Sequence, residues 1–254
     1  MVAFIDHPAV LFIVFFCVFV AAVAFGAHIL RRVVVLPEVD REDFKIVQAA
    51  TLTLLALLVG FSLSMAVGRY DQRKNLEEEE ANAIGTEYAR ADLTDGVVSA
   101  KMKERLLRYT KLRLADFRTR DPQELQRIGR ETANLQSELW QLAEQVAQAK
   151  PTPIGALVVA GMNDVLNSQD YSEAARINHI PLGAWFLMIL IAMFGCIMQG
   201  YGTQGTLRKG LLVTILPFTV ALSLALVADI DSPRGGIIRV QPQNLTRLLQ
   251  TLEK

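Results

Sequence analysis

Four stretches of this sequence contain no Asp, Glu, Lys or Arg, and each is long enough to cross a lipid bilayer as a helix. They cover residues 8–30, 46–68, 181–201 and 210–228. A helix of about 20 apolar residues spans the hydrocarbon core, where only helices and closed barrels satisfy their own backbone polar groups. Mean hydropathy is +0.29 although 20% of the residues are charged, because most charges lie between residues 69 and 176. The sequence therefore predicts an integral membrane protein with four spans.

The second apolar stretch continues without a Pro into charged, helix-forming residues as far as Asp92. The simplest interpretation is one long helix that leaves the bilayer and carries on into water. Residues 1–7 contain no Lys or Arg, which predicts a retained first span rather than a signal peptide. We therefore divide the chain into four parts. They are a membrane hairpin (1–68), a soluble domain (69–180), a second membrane hairpin (181–228) and a tail on the soluble-domain side (229–254).

The soluble domain is predicted to be helical, because residues 69–178 show no alternation of period two. The predicted fold class is all-α: a four-span helical integral membrane protein with an all-helical soluble domain between spans two and three. The run Glu77–Glu80 is interpreted as a solvated helix face, with a cation site as the alternative. The basic amphipathic segment 97–117 either packs against this acidic helix, which we favour, or lies on an anionic membrane surface.

Span two carries two stripes at helical spacing. One is predicted to line a pore and consists of Thr51, Leu55, Leu58, Ser62, Met65 and Arg69. The adjoining stripe consists of Thr53, Leu57, Gly60, Ser64 and Gly68, whose small members permit close helix contact. Alternatively, the Ser and Thr side chains only hydrogen-bond to carbonyls one turn earlier in a tightly packed bundle.

Two Asp residues stand at the C-terminal end of span four, where the helix dipole favours cations. Spans two and four end on the same membrane face by connectivity. Arg69 and Arg73 are therefore on the correct side to pair with Asp229 and Asp231. The sequence predicts a group of ion pairs where these spans leave the membrane.

Several function classes find no support in the residues. The net charge of zero argues against a general nucleic-acid binder. No catalytic motif, Gly-rich phosphate loop or metal-ligand spacing is present, so we expect no enzyme activity, no cofactor and no metal. Cys17 and Cys196 lie within predicted spans and are interpreted as small core residues.

Four motifs together resemble the signature of the bacterial and plant bestrophin-like domain family of unknown function, and the resemblance covers nearly the whole chain. They are Gly60-Phe61-Ser62-Leu63-Ser64, Arg69-Tyr70-Asp71-Gln72-Arg73, Glu80-Ala81-Asn82-Ala83-Ile84-Gly85-Thr86 and Asp229-Ile230-Asp231-Ser232-Pro233-Arg234-Gly235. This family is distantly similar to the bestrophins, which are pentameric anion channels with four spans.

The resemblance implies a homo-oligomer, by analogy a pentamer, embedded in the lipid bilayer of the bacterial inner membrane. It also implies that span two lines the pore, that the soluble domain and both termini are cytoplasmic, and that chloride or other small anions pass. The charges flanking the spans are balanced and do not settle the orientation. Two functions follow: an oligomeric, anion-selective channel, or a non-conducting anchor or sensor whose cytosolic helices bind a partner protein.

Overall fold

The computed structural model describes residues 8–35, 37–149, 151–203 and 207–254, and at 207–209, 211 and 212 it describes the backbone alone. The segment 1–7, on which the prediction of a retained first span depends, lies outside these residues. The described residues form helices and turns and contain no strand, which confirms the predicted all-α fold.

Eight α-helices of ten residues or more follow one another along the described chain, besides a single helical turn at Arg31–Val33. In order they are α1 (Pro8–Phe25), α2 (Arg41–Arg90), α3 (Gly96–Arg118), α4 (Pro122–Ala149), α5 (Pro153–Ile177), α6 (Leu182–Gly202), α7 (Leu207–Asp231) and α8 (Gln243–Leu252). A π-helical turn, Gly26–Leu30, extends α1. By length and composition, four helical stretches can cross a membrane: Pro8–Val33, Glu38–Leu93, Pro153–Gly202 and Val213–Asp231. This confirms the four predicted spans.

The helices form two compact units. The first, here the membrane unit, comprises Met1–Tyr70 and His179–Arg239, and the second comprises Asp71–Asn178 and Val240–Lys254. The long helix α2 contributes residues to both units. The C-terminal helix α8, which the sequence analysis assigns to a separate tail, belongs to the second unit and buries Leu245 there.

The membrane unit has an apolar core to which α1, α2, α6 and α7 contribute. Glycines bring α1 and α6 into backbone contact, since a Cβ on Gly200 would lie 2.0 Å from the Val23 carbonyl oxygen. Cys196 is buried in this core as predicted. Cys17 is exposed, so its interpretation as a core residue is wrong.

The second unit packs an apolar core around Met102, Leu106, Tyr109 and Leu139, which are fully buried. Beside this core, α2 also buries acidic residues. Of the run interpreted as a solvated face, Glu78 and Glu79 are exposed as predicted. Glu77 and Glu80 are 1% and 0% exposed, so the interpretation is wrong for them.

Helical spacing explains the correction, because positions 77, 80, 84 and 87 share one face of α2 and this face is buried. Glu77 accepts hydrogen bonds from Asn244 Nδ2 (2.8 Å) and from the Leu245 backbone N–H (2.9 Å) at the start of α8. Glu80 is paired with the buried Arg113 of α3, whose Nη2 lies 3.3 Å from Glu80 Oε2. The basic helix α3 therefore packs against the Glu-bearing helix, as we favoured.

We expect Glu80→Ala to destabilise the second unit by about 3 kcal/mol, because it removes the nearer of two carboxylates from the buried Arg113 guanidinium and leaves only Asp116, at 3.5 Å. Glu79→Ala, on the exposed side of the same helix turn, is the matched control and should change stability by about 0.5 kcal/mol or less. Thermal and denaturant unfolding of the purified protein measure both effects. Equal stability of the two variants would contradict the structural role of the Glu80–Arg113 pair.

Candidate pore helix and membrane-exit cluster

The apolar half of α2 has one face buried in the membrane unit. Leu55 and Ser62 are only 4% and 5% exposed, and Leu55 packs in the core with α1, α6 and α7 residues. Leu58 is partly buried against the same core. Thr51 donates a hydrogen bond to the Val47 carbonyl oxygen (2.8 Å), one turn earlier, and its Oγ1 lies 4.0 Å from Met198 Sδ. These four predicted pore-lining residues thus contact their own chain.

The neighbouring face of α2, about a quarter turn away from this stripe, is apolar and exposed. Leu54, Leu57, Phe61 and Met65 form a row at steps of three and four residues, with Leu57 and Phe61 52% and 61% exposed. Met65 is the predicted pore-lining residue that lies in this row. We call these four residues the exposed row.

Small residues lie beside the exposed row. Gly60, Ser64 and Gly68 are exposed, and a Cβ on Gly60 or Gly68 would meet no atom of the described chain within 4 Å. The stripe predicted for close helix contact is therefore not used for packing within the described part of the protomer. It remains available to a second helix, to lipid or to a pore.

Arg69, directly after the apolar segment 46–68 of α2, forms an ion pair with Asp231. Arg69 Nη1 donates to Asp231 Oδ1 at 3.1 Å, and the Asp231 side chain is 4% exposed. Asp231 Oδ2 accepts from the Ile180 backbone N–H at 3.0 Å, and His179 Nδ1 lies 3.6 Å from the same oxygen. We call Arg69, His179, Ile180 and Asp231 the membrane-exit cluster. It connects the end of α7 to the apolar end of α2 and to the segment that precedes α6.

Asp229 binds backbone groups of the segment that follows α7. Its carboxylate accepts hydrogen bonds from the backbone N–H groups of Ile237 (2.6 Å) and Ile238 (3.0 Å). A Cβ on Gly236 would lie 2.5 Å from the Asp229 carbonyl oxygen, so this turn requires glycine. Asp229 therefore closes the turn that follows α7. Arg73 is buried and belongs to the second unit, and its predicted pairing with the two Asp residues stays a prediction.

Sequence reasoning did not identify the backbone partners in this region. The only available signal was the Gly235-Gly236 pair after Asp229, which is typical of a tight turn. No sequence pattern marks the Ile180 N–H as a donor to Asp231, because this role depends on where the chain enters α6.

A buried carboxyl near the end of α2 was not singled out by the sequence analysis. Glu87 is 0% exposed, and no hydrogen bond from the described residues reaches either of its carboxyl oxygens. Arg90 Nη1 lies 3.7 Å from Glu87 Oε2, and a Cβ on Gly161 of α5 would lie 2.0 Å from that oxygen. Burial raises the pKa of Glu87 to about 8, against the lowering effect of Arg90, and Asp164 adds to the rise. Gly161 therefore provides the space for a carboxyl that is mostly protonated at neutral pH.

Within the described residues, no group of three or more His, Cys, Asp or Glu side chains is arranged to hold a metal ion. The membrane unit has two distinctive features, the exposed row and the membrane-exit cluster. Together with the four spans they define a multi-pass, all-α membrane protein.

Comparison with known proteins places this protein in a family. Residues 14–245 match the bestrophin-like domain, and the chain belongs to the bestrophin-like family. No functionally curated protein shows significant similarity to it.

Solved structures share its fold. A bacterial bestrophin homologue from Klebsiella pneumoniae superposes with a TM-score of 0.67 at 14% identity, covering 97% of this chain and 96% of the homologue. A single-residue variant of that homologue gives a TM-score of 0.64 at 14% identity, with the same coverage. These identities establish likeness of fold.

We expect Arg69 and Asp231 to be energetically coupled, because Asp231 is buried and Arg69 is its charged partner. A double-mutant cycle with Arg69→Gln and Asp231→Asn should give a coupling energy of about 1–3 kcal/mol in unfolding measurements. The swap Arg69→Asp with Asp231→Arg should recover only part of the stability, because the Ile180 N–H loses its acceptor. Additive single substitutions would argue against the pairing.

The raised pKa of Glu87 predicts a pH-dependent stability. Between about pH 4.5 and 8 the folded protein keeps a proton that the unfolded chain releases, so this group's contribution to stability falls as pH rises. Glu87→Gln removes the ionisation and should therefore raise the unfolding temperature relative to the wild type at pH 9, with little difference at pH 5. Glu78→Gln, on the exposed face, is the control. A constant offset at both pH values would contradict the predicted titration.

Proposed function

We propose that this protein is an oligomeric ion channel, selective for chloride or other small anions, whose pore is lined by the exposed row of α2. The observation that carries the proposal is the exposed row itself. It is a continuous apolar strip on a helix whose neighbouring face, with Leu55 and Ser62, is buried within the protomer. Membership of the bestrophin-like family supports a channel rather than an enzyme.

The proposal requires several copies of the chain. One helix cannot enclose a pore, so the exposed rows must be arranged around a common axis, and cyclic symmetry provides this arrangement. The small residues Gly60, Ser64 and Gly68 beside the row allow neighbouring helices to approach closely. The resemblance to bestrophins favours a pentamer.

Rings of Leu57, Phe61 and Met65 would form a narrow apolar neck that gates by dewetting. Residues 46–68 contain no carboxylate that would attract cations. Weakly hydrated anions lose their water more readily than small cations and would pass such a neck more easily.

Arg69 would act through its ion pair with Asp231, holding α2 in place, rather than as a free cation at the pore mouth.

The predicted stripe of Thr51, Leu55, Leu58 and Ser62 would then support the pore helix from behind. In this arrangement the protein lies in the bacterial inner membrane. The helices of 71–178 and both termini lie in the cytoplasm, as the resemblance implies.

The lining can be tested by cysteine accessibility, since a charged, water-soluble thiol reagent reaches a pore but not a lipid-facing surface. Phe61→Cys and Leu57→Cys, made in a Cys17→Ser background, should react in liposomes and lose most of their anion flux. Leu55→Cys and Ser62→Cys are the matched controls on the buried face and should be unaffected.

Flux through the reconstituted wild type is the companion measurement. Chloride flux with a dilution potential of the anion-selective sign supports the proposal. A well-folded, correctly inserted oligomer that passes neither anions nor cations would refute it and favour the non-conducting anchor or sensor. Flux with modification confined to Leu55→Cys and Ser62→Cys would place the pore on the stripe that contains these two residues and not on the exposed row.

A further inference from the structure

The membrane unit contains a cationic cavity near the start of α2, whereas the membrane-exit cluster lies at the C-terminal end of the apolar segment of that helix. Its volume is about 630 Å³, and it is formed where the segment after α1, the start of α2 and the end of α6 come together. The side chains of Arg31, Arg41 and Lys45 line it, together with the amides of Gln48 and Gln199 and the ring of Tyr201. All its lining residues are described by the structure, and none of them is acidic.

Hydrogen bonds hold the walls of this cavity in place. Arg31 Nη1 donates to the Thr203 carbonyl oxygen at 3.0 Å, and Tyr201 OH donates to the Val34 carbonyl oxygen at 3.0 Å. Gln48 Nε2 donates to Gln199 Oε1 at 2.8 Å. These bonds connect all three segments, so the cavity is a built feature of the unit.

The two cations on α2 are available to a ligand. Arg41 Nη1 lies 4.0 Å from Glu38 Oε1, a long contact to a side chain that is 88% exposed, and such surface pairs contribute little. Lys45 is exposed on the next turn of the helix. Both side chains can therefore turn towards an anion without losing a strong partner.

The cavity lies at the level where the protein passes from apolar to polar sequence. Apolar residues begin directly after Lys45 in α2, end before Arg31 in the first span, and end near Tyr201 in α6. Tyr residues at such boundaries sit at the depth of lipid headgroups. The cavity is consequently at the depth of the phosphate groups of one leaflet.

Exposed apolar side chains stand beside the cations. Val33, Val35 and Val39 are all exposed although they are apolar, and so is Ile46 at the start of the apolar part of α2. A cationic cavity next to an apolar surface matches a molecule with a phosphate and acyl chains. A soluble anion has no apolar part that could cover this surface.

We propose that this cavity binds the phosphate of an anionic phospholipid, with Arg41 and Lys45 contacting the phosphate oxygens and Arg31 shaping the site. Guanidinium groups match phosphate geometry with paired hydrogen bonds, and a Lys ammonium adds a point charge. The acyl chains lie along the apolar part of α2 that begins at the exposed Ile46. This site is separate from the exposed row, so its occupancy does not depend on whether the protein conducts.

The test measures thermal unfolding of the full-length protein in nanodiscs of phosphatidylcholine, with and without 20–30 mol% phosphatidylglycerol (roughly one anionic lipid in four, enough to load a headgroup site). Phosphatidylglycerol should raise the unfolding temperature of the wild type by several degrees. The double variant Arg41→Gln/Lys45→Gln should lose most of this shift. Arg32→Gln removes an exposed cation next to Arg31 that does not line the cavity, and it should keep the shift.

Measurements with soluble phosphate compounds distinguish a lipid phosphate from a free phosphate as the ligand. Inorganic phosphate and glycerol 3-phosphate, at matched ionic strength in phosphatidylcholine discs, should produce a much smaller shift than the lipid. An equal, variant-sensitive shift from either soluble ion would show a phosphate site that does not select lipid and would overturn the lipid assignment. A lipid shift that is lost equally in Arg32→Gln, or kept in the double variant, would reflect diffuse surface charge and overturn the site.

Native mass spectrometry provides a second readout that does not depend on stability. Phosphatidylglycerol should remain bound to the wild type and to Arg32→Gln, with at least a several-fold loss from the double variant. Arg41→Lys keeps the positive charge but loses the planar guanidinium group. Its retention of phosphatidylglycerol should lie between that of the wild type and that of the double variant. Equal retention by all variants would refute the proposal even if the double variant were less stable.

Discussion

The hydrocarbon core of the bilayer imposes the constraint on which this structure depends. Backbone N–H and C=O groups that enter it must be bonded within the protein, which leaves helices as the solution for this chain. Four helical stretches meet this requirement. Because apolar side chains have no water to escape once they are in lipid, close contact between helices depends on small residues, such as Gly200 against the Val23 carbonyl.

The polar ends of the helices are fastened by a few charged groups. Asp231 accepts both the Arg69 side chain and the Ile180 backbone, and Asp229 closes the turn that follows α7. Two Asp residues at a helix C-terminus are unfavourable for the helix dipole, but each has donors that compensate. In the second unit Glu77 and Glu80 have similar roles, each with a specific partner on another helix. Glu77 and Glu80 of α2 are thus structural.

The exposed row of α2 has no helix packed over it in the described protomer, and it is the surface proposed to line the pore. Its apolar row supports a channel built from several copies, and the family relationship points in the same direction. The cationic cavity among the first span, α2 and α6 is proposed to bind the phosphate of a lipid headgroup. In the two proposals α2 has both roles: its apolar middle lines the pore and its charged start binds a lipid phosphate.

The sequence by itself determined the number of spans, the all-helical fold and the family, because long charge-free stretches and helical periodicity are local signals. It also pointed to Arg69 and Asp231, since connectivity puts the ends of spans two and four on the same side. Which face of α2 is buried was decided by tertiary structure. A stripe containing Ser62 and Leu55 is compatible with a pore or with a protein core, and only the packing of α1, α6 and α7 makes it core. The burial of Glu80 and Glu87 was likewise fixed by α3 and α5, whose arginine and glycine supply a charge and a space that lie far away in the chain.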